Sequence, residues 1–248
     1  MIASFVQTYG NEREPGHRDL LYEAQSRDQR MIDFKNLCDV NFFSFHDNHQ
    51  SEIDYYKTLN KVKKAVYLEH YDVVYTDTIR EMLRQLEILG VTHLFWTQDD
   101  SFSAENHDLD LKELLDYAKG FKENFMINLA VDPTYLNHLQ LPTDELKTFT
   151  AYHSNTRDFA RSGKFAMDDS PYIATMDVVK RIYGDYYLND QRTIWRVEEL
   201  MAEHCASWKI PRFIPDKELF RNYNFLGYNL SQEKKEIQKL IQKGILVV

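Results

Sequence analysis

Positive charge is in short supply in this chain of 248 residues: 30 Lys and Arg stand against 39 Asp and Glu, for a net charge of −9. Nucleic-acid binding rests on neutralising phosphates with Lys and Arg, so the deficit argues against a DNA or RNA partner. Cysteine is scarcer still. Cys38 and Cys205 are the only two, too few for a disulfide framework and without metal-ligand spacing, which points to a reducing compartment. No apolar stretch has the length needed to span a membrane. The run after Met1 is broken at Gln7 and charged residues follow from Glu12, so no signal peptide is expected and the cytoplasm is the expected location. Neither a GxGxxG fingerprint nor a P-loop is present, which leaves out a dinucleotide fold and a P-loop ATPase. No repeat, low-complexity tract or linker divides the chain. One domain is expected, large enough to bury roughly 70–75% of its unfolded surface.

Aromatic residues, at 14%, are plentiful, and suit both a core and a stacking surface for flat or sugar ligands. Along the first half, strand and helix patterns alternate. Ala3–Tyr9 reads as a strand closed by Gly10 and Asn11, with a Pro15-Gly16 turn beyond. Asp19–Asn36 reads as helix, with Ser26 and Asp28 as a break. Val40–Phe45 and Lys64–Leu68 read as strands. Thr76–Leu89 carries the apolar stripe Ile79, Met82, Leu83, Leu86 and Leu89, with capping-box spacing at Thr78 and Glu81 and Gly90 as its stop. An apolar strand follows at Thr92. Asp110 and Glu113 repeat the capping spacing ahead of Leu111, Leu114, Leu115 and Ala118, and Gly120 ends that helix. Phe125–Val131 is a further strand. The alternation predicts an α/β fold with a mainly parallel sheet covered by helices on both faces. Beyond Pro142 the pattern loosens: strands are expected near Lys147–His153 and Tyr172–Thr175, helices near Met176–Tyr183, Gln191–Ser207 and Ser231–Lys243.

An open α/β sheet keeps its ligands at the carboxyl ends of its strands, and three such ends carry candidate groups. The first brings Thr8, Tyr9 and Gly10, where glycine allows close backbone approach, with Arg13 placed to meet a phosphate. An ordinary strand–helix turn is the alternative. The second brings Asp47, able to accept the imino proton of uracil or guanine, or simply to cap the next helix. His46 and His49 beside it are read as surface or core histidines. The third is Gln98-Asp99-Asp100, where an aromatic strand stops at two adjacent carboxylates. Hard divalent cations prefer such oxygens, so one acid can take a cation while the other accepts from a sugar hydroxyl. A solvated Asp-Asp-Ser turn is the alternative. Farther on, Glu198 shares a helical face with Ile194, Met201 and Cys205, and partial desolvation there would raise its pKa as a general base requires. Glu199 falls beside Trp195, Ala202 and Glu203, on the more polar side. Asp168-Asp169-Ser170-Pro171 forms a defined loop ahead of a strand, read as a cap.

In order and pattern these features resemble a GT-A glycosyltransferase, broadly of the family-2 type, from about Ala3 to Tyr228. The features are a first strand ending Thr8-Tyr9-Gly10, Asp47 at the second strand end and a long helix with Arg80. The DxD-like Gln98-Asp99-Asp100 and a later helix with Glu198-Glu199 complete the set. The resemblance implies a single Rossmann-like domain over 1–248. Within it, 1–131 would be a nucleotide-binding half, 132–230 an acceptor-side half and 231–248 a terminal helix. It implies that Asp47 recognises the base, Asp99 faces the ribose or donor sugar, and Asp100 binds Mn²⁺ or Mg²⁺ bridging the diphosphate. Glu198 or Glu199 would deprotonate an acceptor hydroxyl in an inverting displacement. The implied donor is a UDP- or GDP-sugar and the implied acceptor a glycan or other hydroxyl compound, as in polysaccharide biosynthesis. Two departures stand out: Gln98 occupies the first DxD position, and the base motif is not the usual Glu-Asp pair. Arg221, in the Phe220–Phe225 segment, is a further candidate for the donor phosphates, and the aromatics around it for the core. The competing enzyme class is a nucleotidyltransferase acting on a sugar phosphate, against which Gly10-Asn11-Glu12-Arg13 is poor in glycine. An acidic interaction module is the non-catalytic alternative.

Overall fold

Strand β1 (Ile2–Tyr9) is the hub of the computed structural model, which describes residues 1–9, 18–71, 75–104, 108–130, 143–155, 171–181, 211–222 and 230–243. It pairs in parallel with β2 (Val40–His46) on one side and β4 (His93–Gln98) on the other, and β2 carries β3 (Ala65–His70). Beyond β4 come β9 (Tyr172–Thr175), β6 (Met126–Asn128), β10 (Pro211–Pro215), β8 (Thr150–Asn155) and β7 (Thr143–Glu145). Strands β3, β2, β1, β4, β6, β10 and β7 run one way, and β9 and β8 run the other. A small second sheet pairs β5 (Ser101–Ser103) with β11 (Phe220–Asn222). The expected mixed α/β fold with a mainly parallel central sheet is therefore the one observed.

Alternating side chains send successive residues of β1 to opposite faces. Ala3 and Phe5 join Phe42, Leu94 and Trp96 beneath α4 (Tyr75–Ile88), whose Ile79, Met82, Leu83 and Leu86 are buried against them. Helix α6 (Met176–Lys180) adds Val178 and Val179 to that layer. On the other face Val6, Phe43 and Phe45 pack against Tyr22 of α1 (Asp19–Gln25) and Ile53 and Tyr56 of α3 (Gln50–Leu59). Farther along that face Ile2, Phe95 and Ile127 meet Phe34 of α2 (Gln29–Leu37) and Leu114, Leu115 and Ala118 of α5 (Leu111–Gly120). Helix α7 (Leu230–Gln242) buries Ile237 with Leu21, Ala24 and Phe102.

Local chemistry explains most boundaries. The break between α1 and α2 falls at Ser26–Asp28, where Asp28 accepts from the Met31 N–H as the N-cap of α2. Gly90 follows α4 at φ +70°, a left-handed conformation glycine adopts without strain. Asp110 caps α5 through the Lys112 and Glu113 N–H groups. Its expected reciprocal partner Glu113 turns instead to the N–H groups of Lys147 and Thr148 and the Thr148 hydroxyl. The Thr78–Glu81 capping box is corrected: α4 is already helical at Tyr75, so Thr78 lies inside it, and Glu81 bonds Arg84 and Gln85 one turn on. The strand expected over Phe125–Val131 is trimmed to Met126–Asn128. The helix expected over Gln191–Ser207 lies outside the described residues.

Candidate functional site

The carboxyl ends of β1, β2 and β4 lie side by side, because β1 pairs with both neighbours in parallel. Strand β4 ends at Gln98, paired with Gln7, and the Asp99 N–H still donates to the Gln7 carbonyl at 3.0 Å. The chain then turns through Asp99 and Asp100 directly into β5. Three contacts brace this turn from behind. Gln25 Nε2 donates to the Asp99 carbonyl, the Gln98 N–H donates to Ser101 Oγ at 3.3 Å, and the Ser103 N–H and hydroxyl donate to Asp28 at 2.7 and 2.6 Å. The alternative of a solvated turn fails on burial: Asp99 is 5% exposed and Asp100 1%.

A buried carboxylate is retained where charge or hydrogen bonds compensate it. Asp99 has Arg18 for this, with Oδ2 3.7 Å from Nε and the arginine 1% exposed. Tyr22, buried under the pair, has its phenol pushed well above its ordinary pKa, first by burial and then by the charge of Asp99, with Arg18 opposing. Glu52 and Asn48 are buried nearby, Asn48 Nδ2 donating to the Tyr22 hydroxyl at 3.3 Å. Thr8, at the end of β1, is 1% exposed.

Asp47 presents a different picture at the end of β2. Its side chain is 37% exposed, its backbone is left-handed at φ 52°, and its N–H donates to the His70 carbonyl at 2.9 Å. Left-handed non-glycine residues cost free energy, least for Asp and Asn, and gather at functional positions. The alternative of a helix cap is corrected, since the N-cap of α3 is His49 and not Asp47. His46 lies 3.3 Å from Asp47 Oδ2 and is a core histidine, 3% exposed. Burial lowers the pKa of His46 against the pull of Asp47. It lowers that of His70 as well, helped by His46.

The structure thus brings together Thr8, Gln98, Asp99 and Asp100, with Asp47 on the flanking strand. Arg80 lies on the exposed side of α4. Arg221 is on β11, bonded to Glu218 through Nε at 3.2 Å and through Nη2, and its neighbour Phe220 is core against Phe34 and Phe95. The Tyr9 side chain, Gly10, Arg13, Asp168, Asp169, Glu198 and Glu199 lie outside the described residues. Sequence reasoning missed Arg18, which comes shortly after Pro15-Gly16 in the sequence with no periodicity to mark it. The signal for it was an arginine directly ahead of the first helix.

The donors offered at the end of β4 are carboxylate oxygens, which suit a hard cation such as Mg²⁺ or Mn²⁺. No group of three or more His, Cys, Asp or Glu among the described residues is placed to hold a metal. Among the described residues, a cation here would rest on Asp100, at most with Asp99.

The mixed α/β fold with a mainly parallel central sheet is shared with solved enzymes at low identity. The 4-diphosphocytidyl-2C-methyl-D-erythritol synthase of Anaerococcus prevotii matches with a TM-score of 0.52 at 10% identity, over 98% of this chain and 96% of that one. An apo UDP-glucose pyrophosphorylase matches with a TM-score of 0.52 at 12% identity, over 99% and 100%. A putative glucose-1-phosphate thymidylyltransferase from Bacillus anthracis matches with a TM-score of 0.50 at 10% identity, over 94% and 93%. At these identities the likeness is one of fold. The resemblance read from the sequence is met at that level, though these structures bear synthase, pyrophosphorylase and thymidylyltransferase names and not those of family-2 glycosyltransferases. No family model and no curated protein matches the chain. No helix among the described residues is long and apolar enough to cross a membrane.

Proposed function

We propose that this chain is a transferase that holds a nucleotide diphosphate sugar at the ends of β1, β2 and β4 and passes the sugar to an acceptor hydroxyl. The observation that carries this reading is the braced, buried Asp99–Asp100 turn and the open Asp47 at the carboxyl ends of the strands flanking β1, the edge at which open α/β sheets take their ligands. Asp47 would take the base, Asp99 and Gln98 the ribose or sugar, and Asp100 a Mg²⁺ or Mn²⁺ ion. Thr8, Tyr9, Gly10, Arg13 and Arg80 would line the nucleotide. The ion would supply neutralisation of charge on the departing diphosphate.

In the transfer, the acceptor oxygen bonds to the anomeric carbon while the bond from that carbon to the diphosphate oxygen breaks. The diphosphate leaves with the electron pair, and the acceptor proton passes to a carboxylate, assigned here to Glu198 with Glu199 beside it. Such a single displacement inverts the anomeric centre. The braced turn serves this chemistry by fixing both acids before ligand arrives, so little ordering remains to be done on binding.

A second reading, nucleotidyl transfer to a sugar phosphate, is favoured by the names of the structures that share the fold. One experiment separates the two. The protein is incubated with UDP-glucose or GDP-mannose and Mn²⁺, with and without added inorganic diphosphate, and nucleotides are resolved by chromatography. Release of nucleoside diphosphate supports glycosyl transfer. Diphosphate-dependent formation of nucleoside triphosphate and sugar phosphate supports the second reading. Calorimetric titration of UDP and GDP with and without Mn²⁺ tests both, since a non-catalytic module predicts no metal-dependent binding.

A further inference from the structure

The edge of the sheet opposite Asp47, Asp99 and Asp100 carries a second pattern. Strands β1, β2 and β4 start there, and helices α2, α4 and α5 end there. The Asp39 N–H donates to the Ile2 carbonyl, the Ile2 N–H to Asp39 Oδ2 and the Thr92 N–H to the Met1 carbonyl, each at 2.8 Å. Met1 is thereby held between the end of α2 and the segment that follows α4. Of the five exposed large apolar side chains among the described residues, four are here: Met1 at 48%, Leu37 at 40%, Ile88 at 73% and Leu89 at 46%.

Basic side chains accompany them. Across residues 37–39, 60–64, 88–92 and 119–124, Lys61, Lys63, Lys64, Lys119 and Lys122 stand against two acids, Asp39 and Glu123, and all seven are exposed. Among the described residues none of these five lysines is in an ion pair, whereas Lys57, Lys180, Lys217 and Lys239 each are. The Lys63 N–H donates to Asn36 Oδ1 at 2.7 Å and the Lys64 carbonyl accepts from the Asn41 N–H, which sets this loop beside the end of α2. Burial and then Asp39 push the Cys38 thiol up to about 12, and Lys119, Lys35 and Lys64 pull against them, so lysines from two loops reach the same helix end. A cation gains from the dipole at a helix C-terminus, which accounts for Lys119 in the last turn of α5. It does not account for Lys63 and Lys64, which lead into β3, nor for the apolar side chains left in water.

We propose that this edge docks on the surface of an anionic lipid bilayer, with the lysines over the headgroups and Met1, Leu37, Ile88 and Leu89 dipping in among them. A basic cluster and an apolar contact are each weak anchors alone, and a lipid interface rewards the two together. A nucleic acid would use the lysines and leave the apolar side chains idle. The net charge of −9 does not oppose docking, because it is unevenly placed. Asp47, Asp99 and Asp100 end strands that start at the lysine edge, and the eight residues of β1 between the two edges span roughly 25 Å. That exceeds the screening length of about 8–10 Å at ordinary ionic strength. The docked molecule then turns its strand ends to the water. The surface draws on no group assigned to the donor, so it stands or falls apart from the transferase reading.

Vesicles of phosphatidylcholine, with and without phosphatidylglycerol, are the probe, and the full chain is followed by co-sedimentation at low and high salt. Binding to the phosphatidylglycerol vesicles is expected, weakening as salt rises, with the neutral vesicles at least about tenfold weaker. The combined change Lys64→Gln, Lys119→Gln and Lys122→Gln should weaken binding on the order of a hundredfold. Lys112→Gln, Lys147→Gln and Lys235→Gln remove the same charge from exposed lysines elsewhere and should leave binding within about threefold. Leu37→Gln with Leu89→Gln should weaken binding at least about tenfold while keeping its salt dependence. Circular dichroism and the unfolding midpoint check that each variant folds. Absence of binding to the phosphatidylglycerol vesicles overturns the proposal, as does equal loss in the two lysine variants or no loss in the leucine variant. A DNA duplex held as tightly as the vesicles would assign the edge to nucleic acid instead. An oligomer of the parent chain that the edge variants dissociate would assign it to a second copy.

Discussion

Asp47 and the Asp99–Asp100 pair end the two strands that flank β1, in register with the same neighbour, yet they are opposites in environment. The β4 acids are closed in: both are nearly inaccessible, and Asp99 faces an equally buried arginine. Asp47 is open, with its backbone strained and its carboxylate a third exposed. The difference separates two kinds of acid on one sheet edge. The closed end is part of the architecture and can act only from a fixed position. The open end contributes little to packing, so its contribution is to be sought in what it binds.

Removing Arg18 gives the strongest test of the closed end. Breaking a buried pair leaves the other charge uncompensated, at about 3–5 kcal/mol. Arg18→Met should therefore lower the free energy of unfolding in urea by about that much. A loss under about 1 kcal/mol would show that Asp99 is held by something else. Lys35, a buried cation with no bonded carboxylate, should respond in the opposite sense. Its folded pKa of about 8 lies below the ordinary 10.5, so the folded state disfavours the charged form. The penalty is complete below pH 8 and fades as pH rises from 8 to 10.5, where the unfolded chain also loses its proton. Lys35→Met should stabilise the protein by roughly 3 kcal/mol at pH 7, and the gain should shrink toward pH 10.5. A gain independent of pH would place the effect in packing.

The proposed base is a third target. Glu198→Gln should lower turnover by about a hundredfold or more at nearly constant donor affinity, within the range for general bases. Glu199→Gln serves as the control, with a small effect expected. If the effects exchange, the helical-face assignment has chosen the wrong carboxylate. Asp100→Asn should abolish Mn²⁺-assisted binding of a nucleotide diphosphate while retaining the circular dichroism spectrum of the parent. Equal affinity in the two would remove Asp100 from the metal assignment. Asp47→Ala should change stability least, by under about 1 kcal/mol, as for an exposed polar substitution. It should nevertheless weaken nucleotide binding about ten- to a hundredfold, the value of a lost charged hydrogen bond. Binding of inorganic diphosphate should not weaken to match. Equal loss for both ligands would make Asp47 structural and bring the two ends back into one class.

The same contrast runs through what the sequence discloses. Strands β1, β2 and β4 and helices α4 and α5 are legible because their apolar residues recur at the period of the element, as in Ile79, Met82, Leu83 and Leu86. Strand β10 is not, because Pro211 and Pro215 bracket its five residues and proline reads as punctuation. Thr143–Glu145 is polar throughout, and β5 and β11 have three residues each, too few to show alternation. At the site, the positions of Asp47, Asp99 and Asp100 could be read from where apolar strands stop. Their burial could not. It depends on Arg18, Gln25 and Asp28 arriving from another part of the chain, and no local pattern records a contact of that range.

Strand β9 has a consequence for the order in which the molecule can be made. It fills the gap between β4 and β6 in reversed direction, placing Tyr172 parallel to Trp96 with ring centroids 6.2 Å apart. The two strands that end at Asp47 and at Asp99–Asp100 are both synthesised before it. Until Tyr172–Thr175 emerges, β4 displays a bare hydrogen-bonding edge beside its most aromatic stretch, the kind of edge on which chains pair with one another. The sheet edge that would hold the ligand is thus complete in sequence long before it is safe in solution. A fragment ending after β6 would carry every acid of the strand ends and none of the protection.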